Sequence, residues 1–411
     1  MKKFFAVILS MLLTAATCAG CAPKEQKKYG EEEMRTPFWT QDTMYNESVL
    51  LTRGKDERLA QGNLAFEPKG RVKITDPLMQ IVYEEGKDFT MEGRTIRATE
   101  NTSMPWLEEK VLFGIDMPEG KGLSTQPVSE AGAAKGYESV LYTESAFLIE
   151  NQVLVTYDYD RREFDSKVIP AYQGEKLPNT LQKLQNKETV DIIAFGDSIS
   201  TGCNSTGGGL QSVYDDTYPG NSVYLPFDRA PYTPTFPEMF ASGLAAHYGA
   251  ETTIFGAAMG GQTSDWGAKN AARRVVNPDM GYDPDLVTIT FGMNDATLSV
   301  PLDTFEENML KIIDDIRAAS SKQVEFILIG TMLANPDAVQ CTNQEAYWPI
   351  LQKVADAREG VAAVDMGGMH AFFLQHKNFQ DMIANNINHP NDFLIRMYAM
   401  NLLATLIDYQ A

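Results

Sequence analysis

Four short segments of this 411-residue chain place reactive or hydrogen-bonding groups where strands should end. Ser198, in Gly196-Asp197-Ser198-Ile199-Ser200, follows an apolar run over 190–195, the strand edge at which a nucleophilic hydroxyl is useful. Gly260-Gly261-Gln262-Thr263-Ser264 and Gly292-Met293-Asn294-Asp295 follow the runs 252–255 and 286–291. Glycine there lets a backbone N–H approach a ligand, and the Asn294 amide adds a side-chain donor, so both could address one developing oxyanion. Of four histidines, His389 alone lies just before a final helical pattern, in Asn388-His389-Pro390-Asn391-Asp392, where it could face Ser198 as a base. His247, His370 and His376 lie in helical or Phe-rich surroundings that suit packing or surface roles. Taken singly, each segment also reads as a turn or a helix cap; together they are harder to dismiss.

The elements that must position these groups follow from the apolar patterning. Runs at 190–195, 252–255, 286–291, 324–329 and 361–364 predict five buried parallel strands. Between them, Phe305, Met309, Ile312, Ile313 and Ile316 repeat at helical spacing over 304–319, with Asp314 and Asp315 facing away. A second helix begins near Thr235 with Pro237 in its first turn, and Phe393, Met397, Met400 and Leu403 mark the last. Strands alternating with helices over 179–411 predict a three-layer α/β domain with its ligands at the strands' C-terminal ends. Residues 44–178 differ: short segments at 48–52, 71–75, 80–84, 95–98, 139–143 and 152–158 predict an all-β sandwich. That domain contains no histidine, and it reads either as a carbohydrate-binding or site-covering module or as a structural prop.

Gly-Asp-Ser after the first strand, a glycine loop, Gly-x-Asn-Asp and a C-terminal His-Pro, in this order over about 188–410, resemble the SGNH (GDSL-type) serine hydrolases. The resemblance implies a flavodoxin-like fold and a serine esterase needing no cofactor. It makes Ser198 the nucleophile, His389 the base, and Gly261 and Asn294 partners of the Ser198 N–H in an oxyanion hole. Asp197 and Asp295 become supporting residues. Joined to the leading β domain, the pattern is also similar to two-domain carbohydrate esterases. The family usually has Asp three residues before the histidine, where this chain has Asn386. An Asn oxygen can accept the His389 Nδ1–H and fix the tautomer, but adds no negative charge. Asn386 or a backbone carbonyl is therefore expected as acceptor, with Asp392, Asp381 or an acid from a distant loop as alternatives. Gly256 also stands where the family often has Asn before the second block.

Composition bounds the partners. Hydrophobic residues make up 44% and charged residues 22%, as in an ordinary globular protein. With 35 Lys and Arg against 55 Asp and Glu, the formal charge of -20 repels phosphate backbones, so nucleic acid is not an expected partner. Lys2, Lys3, an apolar stretch over 4–13 and Cys18-Ala19-Gly20-Cys21 resemble a bacterial lipoprotein signal over 1–20, with Cys21 lipidated and a mobile polar tether over 21–43. Export with attachment to a membrane or cell surface is the expectation. Cys203 and Cys341 could then form a bridge or remain buried thiols. The histidine spacing suggests no metal site.

The long segment 201–235 carries Tyr214, Tyr218, Tyr224 and Tyr232, and Trp266 follows the Gly261 loop; aromatic faces over a polar cleft could stack on sugar rings. The favoured substrate is accordingly an O-acetylated extracellular poly- or oligosaccharide, the small acyl group being a family expectation. Alternatives are a lipid or thioester hydrolase and a catalytically weak glycan-binding lipoprotein. Oligomeric state is not legible.

Overall fold

The computed structural model describes residues 30–207, 209–210, 227–277 and 281–409; the signal segment with Cys21 lies outside them. The first region is β-rich, as its short alternating runs require. Strands β1 (Thr43–Leu50), β2 (Thr52–Arg53), β3 (Gln61–Asn63), β4 (Lys73–Thr75), β5 (Val82–Tyr83), β6 (Phe89–Glu92), β7 (Thr95–Ala98), β8 (Leu107–Glu108), β9 (Leu123–Pro127), β10 (Ser139–Thr143) and β11 (Gln152–Asp158) follow in order. They form sheets ordered β1-β11-β4-β5 and β6-β7-β3-β2-β8, with β9 and β10 as a separate ribbon. The chain leaves the first sheet at Leu50 and enters the second at Thr52, which holds the two together. On β11, Val153, Val155 and Tyr157 are buried at alternate positions.

Strands β3, β6, β8 and β9 escaped the sequence reading because two to five residues give too little alternation to detect. Short helices at Glu130–Ala134 and Phe147–Asn151 also depart from a purely β pattern. The polar segment expected as a tether over 21–43 is folded from Glu31 onward. A helix at Glu31–Arg35 precedes Phe38, whose buried ring meets Phe373 and Phe393 at 5.7 and 5.5 Å. Buried Arg396 donates to Met34 O, which fastens this arm to the last helix.

The second region contains one sheet of five parallel strands, β12 (Val190–Gly196), β13 (Thr252–Gly256), β14 (Leu286–Thr290), β15 (Glu325–Gly330) and β16 (Val361–Asp365), ordered β13-β12-β14-β15-β16. Each agrees with its apolar run to within about a residue. The sheet is covered on both faces. Ile193, Phe195, Val287 and Ile289 pack toward helices Ser264–Val275 and Leu302–Ala319, whereas Val190, Ile192, Ile327 and Ile329 pack toward Phe236–Tyr248 and Asp392–Leu406. The chain steps from β12 to β13 on one side and then to β14 on the other. This reversal opens a crevice beyond the C-terminal end of β12, with the loops of β13 and β14 as its walls.

The apolar core runs unbroken from Leu50, Phe66 and Phe89 of the β-rich region to Phe393, Met397 and Leu403 of the last helix. Every residue of Asp392–Leu406 after Asp392 is buried, which explains why apolar residues fill all its sides. Polar ties lie along the same seam. Lys377, fully buried, holds Glu47 Oε1 at 2.6 Å and Ser48 O at 2.9 Å; Asn391 Nδ2 reaches Ser48 Oγ and Gln152 Oε1. No helix among the described residues is long and apolar enough to cross a membrane.

Candidate active site

Ser198 stands two residues beyond β12, in a turn rather than a helix. Gly196 makes that turn possible: its φ is 153°, and a Cβ there would lie 2.3 Å from Thr290 O of the neighbouring strand. Asp197 N–H donates to Thr290 O and Asp197 Oδ1 accepts from Ile199 N–H, so the turn is fixed on both sides of the serine. Ser198 Oγ lies 2.9 Å from His389 Nε2. The imidazole is buried and comes from a loop closed by a bridge between Ile383 and Pro390. Inside that loop Asn385 Oδ1 accepts the N–H groups of Ile387, Asn388 and His389, which sets the backbone of the histidine.

Asn386 does not orient His389, contrary to the sequence expectation. Its backbone is left-handed, φ 66°, and turns the side chain elsewhere: Nδ2 donates to Leu112 O and Leu141 O, while Oδ1 accepts from Gln380 and Asn335. The two acids considered as alternatives are also engaged elsewhere. Asp392 accepts from Thr206 and Thr233, and Asp381 from the N–H groups of Leu50 and Asn378. His389 Nδ1 instead faces Asn204 Oδ1 at 2.7 Å and Glu144 Oε2 at 3.2 Å. Glu144 follows β10 in the β-rich region, so a distant loop does supply an acid. The sequence carried no signal for Glu144, and Asn204 lay in a segment read for its aromatic residues and for Cys203.

Burial on its own pushes the Glu144 carboxyl up, but the hydrogen bond and charge of His389, with donors from Tyr142 and Asn385, bring it down to about 2. For His389 burial alone disfavours the charged ring, yet Cys203 and Glu144 outweigh it and the pKa is raised well above its usual value. Burial pushes the Cys203 thiol up as well, so at neutral pH the charge favouring imidazolium is that of Glu144. Glu144, Cys203 and His389 offer ligand-type atoms within 4.8 Å of one another, the one such group among the described residues. The contacts of Glu144 and Asn204 with Nδ1 account for this cluster as a hydrogen-bonded one.

Gly261 and Asn294 share a cleft with Ser198 and His389. Gly261 has φ 72° and open space where a Cβ would be. Asn294 Nδ2 donates to Gln262 O at 2.9 Å and faces Asp197 Oδ2 at a longer 3.4 Å. Burial pushes buried Asp197 up to about 7. Asp295, also raised by burial, accepts from Ser264 N–H and Oγ–H and from Gly292 N–H, tying the β13 and β14 loops together.

The cleft encloses about 220 Å³, and its remaining lining is Gln126, Tyr142, Glu144, Gln340, Ile387 and Asn388. Of the expected aromatic rim, the two described residues, Trp266 and Tyr232, are not part of this lining. Trp266 stacks on Phe195 and lies under the Arg274 guanidinium, a packing role; Tyr232, whose backbone lies against Gly207, is not among the residues lining the cleft. Tyr214, Tyr218 and Tyr224 lie outside the described residues. Among the described residues Tyr142, from β10, is the aromatic side chain on the wall. Cys203 and Cys341 are free thiols, so the bridge considered from sequence is absent. Of the other histidines, His370 is buried, accepts from Leu333 N–H through Nδ1, and is pushed down to about 3 by burial; His247 and His376 are exposed.

No match was found among curated proteins. Solved structures that are similar include a two-domain esterase (CEX) active on acetylated mannans, at 16% identity and TM-score 0.42, covering 59% of this chain and 56% of that one. The chain therefore spans little more than half the length of that relative. Others are a putative lipolytic protein of the G-D-S-L family from Desulfitobacterium hafniense (16%, TM-score 0.34, 52% and 99%) and a lipase/acylhydrolase from Enterococcus faecalis (22%, TM-score 0.36, 52% and 93%). Residues 194–393 match the GDSL-like Lipase/Acylhydrolase family, a span that contains Ser198, Gly261, Asn294 and His389. The match runs from β12 to the start of the last helix, which makes the chain similar to that family over this span.

Proposed function

We propose that this protein is a serine esterase that removes small acyl groups, acetyl foremost, from carbohydrate. The observation that carries the reading is the 2.9 Å approach of Ser198 Oγ to His389 Nε2. Asn204 Oδ1 and Glu144 Oε2 beside Nδ1 are acceptors, so the neutral ring keeps its proton on Nδ1 and presents a bare Nε2 to the serine O–H. His389 takes the Ser198 proton as Oγ attacks the ester carbonyl, then returns it to the leaving alcohol; water repeats the cycle on the acyl-enzyme. The N–H groups of Ser198 and Gly261 and the Asn294 amide receive the oxyanion, which displaces the long 3.4 Å contact of Nδ2 with Asp197.

The cleft favours a small acyl group on a polar alcohol. Gln126, Gln340 and Asn388 offer amide donors and acceptors to hydroxyls, Tyr142 offers a ring face, and among the described residues Ile387 is the one aliphatic side chain of the lining. A lipid substrate would need a long apolar groove in its place. Acetate release from a panel of acetylated glycans, with Ser198→Ala as control, tests the reading; octanoyl esters hydrolysed faster than acetyl esters would overturn it. Asn294→Ala is expected to lower kcat on the order of 10² to 10³, the usual effect of one lost oxyanion donor, and stopped-flow or steady-state kinetics would show it. Export and anchoring through Cys21 complete the proposal, supported by the basic, apolar and small-residue order of the first 21 residues. Fatty-acid labelling of the expressed chain, lost in Cys21→Ala, checks that part.

A further inference from the structure

We propose that Glu144, delivered by the N-terminal β-rich region, is the acidic positioning residue of His389, sharing its Nδ1–H with Asn204, so that the hydrolytic site is complete only when both regions are assembled. The inference rests on the Ser198–His389 reading above and adds a residue outside the matched family span. The carboxylate is held for this task. Tyr142 Oη donates to Glu144 Oε1 at 2.7 Å and Asn385 Nδ2 reaches the same oxygen at 3.4 Å, leaving Oε2 toward the imidazole. Asn204 is closer to Nδ1 but neutral: it fixes the tautomer, and Glu144 supplies the charge that steadies the imidazolium as it forms.

The loop that carries the base also grips the strand that carries the acid. Asn386 Nδ2 bonds Leu141 O of β10, and Thr143 N–H donates to Asn385 O, so both neighbours of the loop's turn hold the segment ending at Glu144. Position 386, where the family pattern has its acid, here anchors the strand that brings another acid to the same imidazole edge. The titratable groups facing His389 are Glu144, Cys203 and Asp197. Burial keeps the Cys203 thiol neutral at neutral pH and raises Asp197 to about 7, so Glu144 is the one fully ionised partner among them.

The test compares the full chain with Glu144→Gln and Glu144→Asp by NMR titration of the His389 imidazole, alongside ester hydrolysis and fluorophosphonate labelling of Ser198. Loss of the anion is expected to lower the His389 pKa by about one unit or more and to move the acid limb of kcat/KM to lower pH by the same amount. Glu144→Gln should lower kcat on the order of 10²-fold with KM within about twofold, while Glu144→Asp retains the limb and recovers part of the rate. A His389 pKa that is the same in Glu144→Gln and wild type overturns the inference, whatever the activity. A pKa that moves while wild-type Ser198 neither labels nor turns over ester supports the contact and sinks the esterase reading instead.

Discussion

Alanine at His389 is expected to lower kcat for ester hydrolysis by on the order of 10⁴- to 10⁶-fold, with thermal stability changed far less. The ring has no substitute. His370 is buried with its Nδ1 on Leu333 N–H, and the other two histidines are exposed outside the cleft, so no second imidazole can take the Ser198 proton. Nucleophile and base act as a unit, and removing either removes nearly all that the pair contributes. The double variant Ser198→Ala, His389→Ala should therefore be little worse than either single variant; single-turnover kinetics on an activated acetyl ester would measure both. Additive losses would show that the two residues do not act on one proton.

Asn386→Asp should destabilise the fold by roughly 2–4 kcal/mol instead of improving the site. A sequence comparison alone would recommend this change, since it restores the acid three residues before the histidine. The geometry predicts the reverse. Asn386 is fully buried, and its amide donates to the carbonyls of Leu112 and Leu141. An aspartate would set acceptor oxygens against those carbonyls, or take up a proton and recover at most one of the two bonds. The new carboxyl would have its folded-state pKa raised above its unfolded value of about 3.9. Its folded form would then bind the proton more tightly, so the deficit is smallest at low pH and deepens as pH rises through that value. Melting temperatures of Asn386→Asp and wild type between pH 4 and 8 would show the widening gap; a stabilised or faster variant would return the orienting role to position 386.

The parts of the site that were legible in the sequence are those attached to strand ends. Ser198, Gly261 and Asn294 follow three strands adjacent in one parallel sheet, β12, β13 and β14, and apolar runs reveal such strands locally. The turn from β13 to β14 across β12 then brings their loops together. Glu144 and Asn204 had no such marker, because a carboxylate after a five-residue antiparallel strand resembles any other solvated acid until the pairing of distant segments is known. Asn386 misled for a related reason: its distance from His389 along the chain is right, but a left-handed backbone directs the side chain away. Trp266 shows the limit of composition, since nothing in its position distinguishes a ring over a cleft from one stacked on Phe195.

The buried contact of Lys377 with Glu47 joins residues 330 positions apart. Glu47 has left the ribosome long before Lys377 is made, and until then its carboxylate, buried on the edge strand β1 of the first sheet, lacks that cation. Closing a loop of that length carries an entropic cost that must be met before the contact can form. The amino-terminal third waits, incompletely satisfied, until Lys377 and the helix Asp392–Leu406 have been made, and a chain interrupted before that helix would leave a sheet without part of its core.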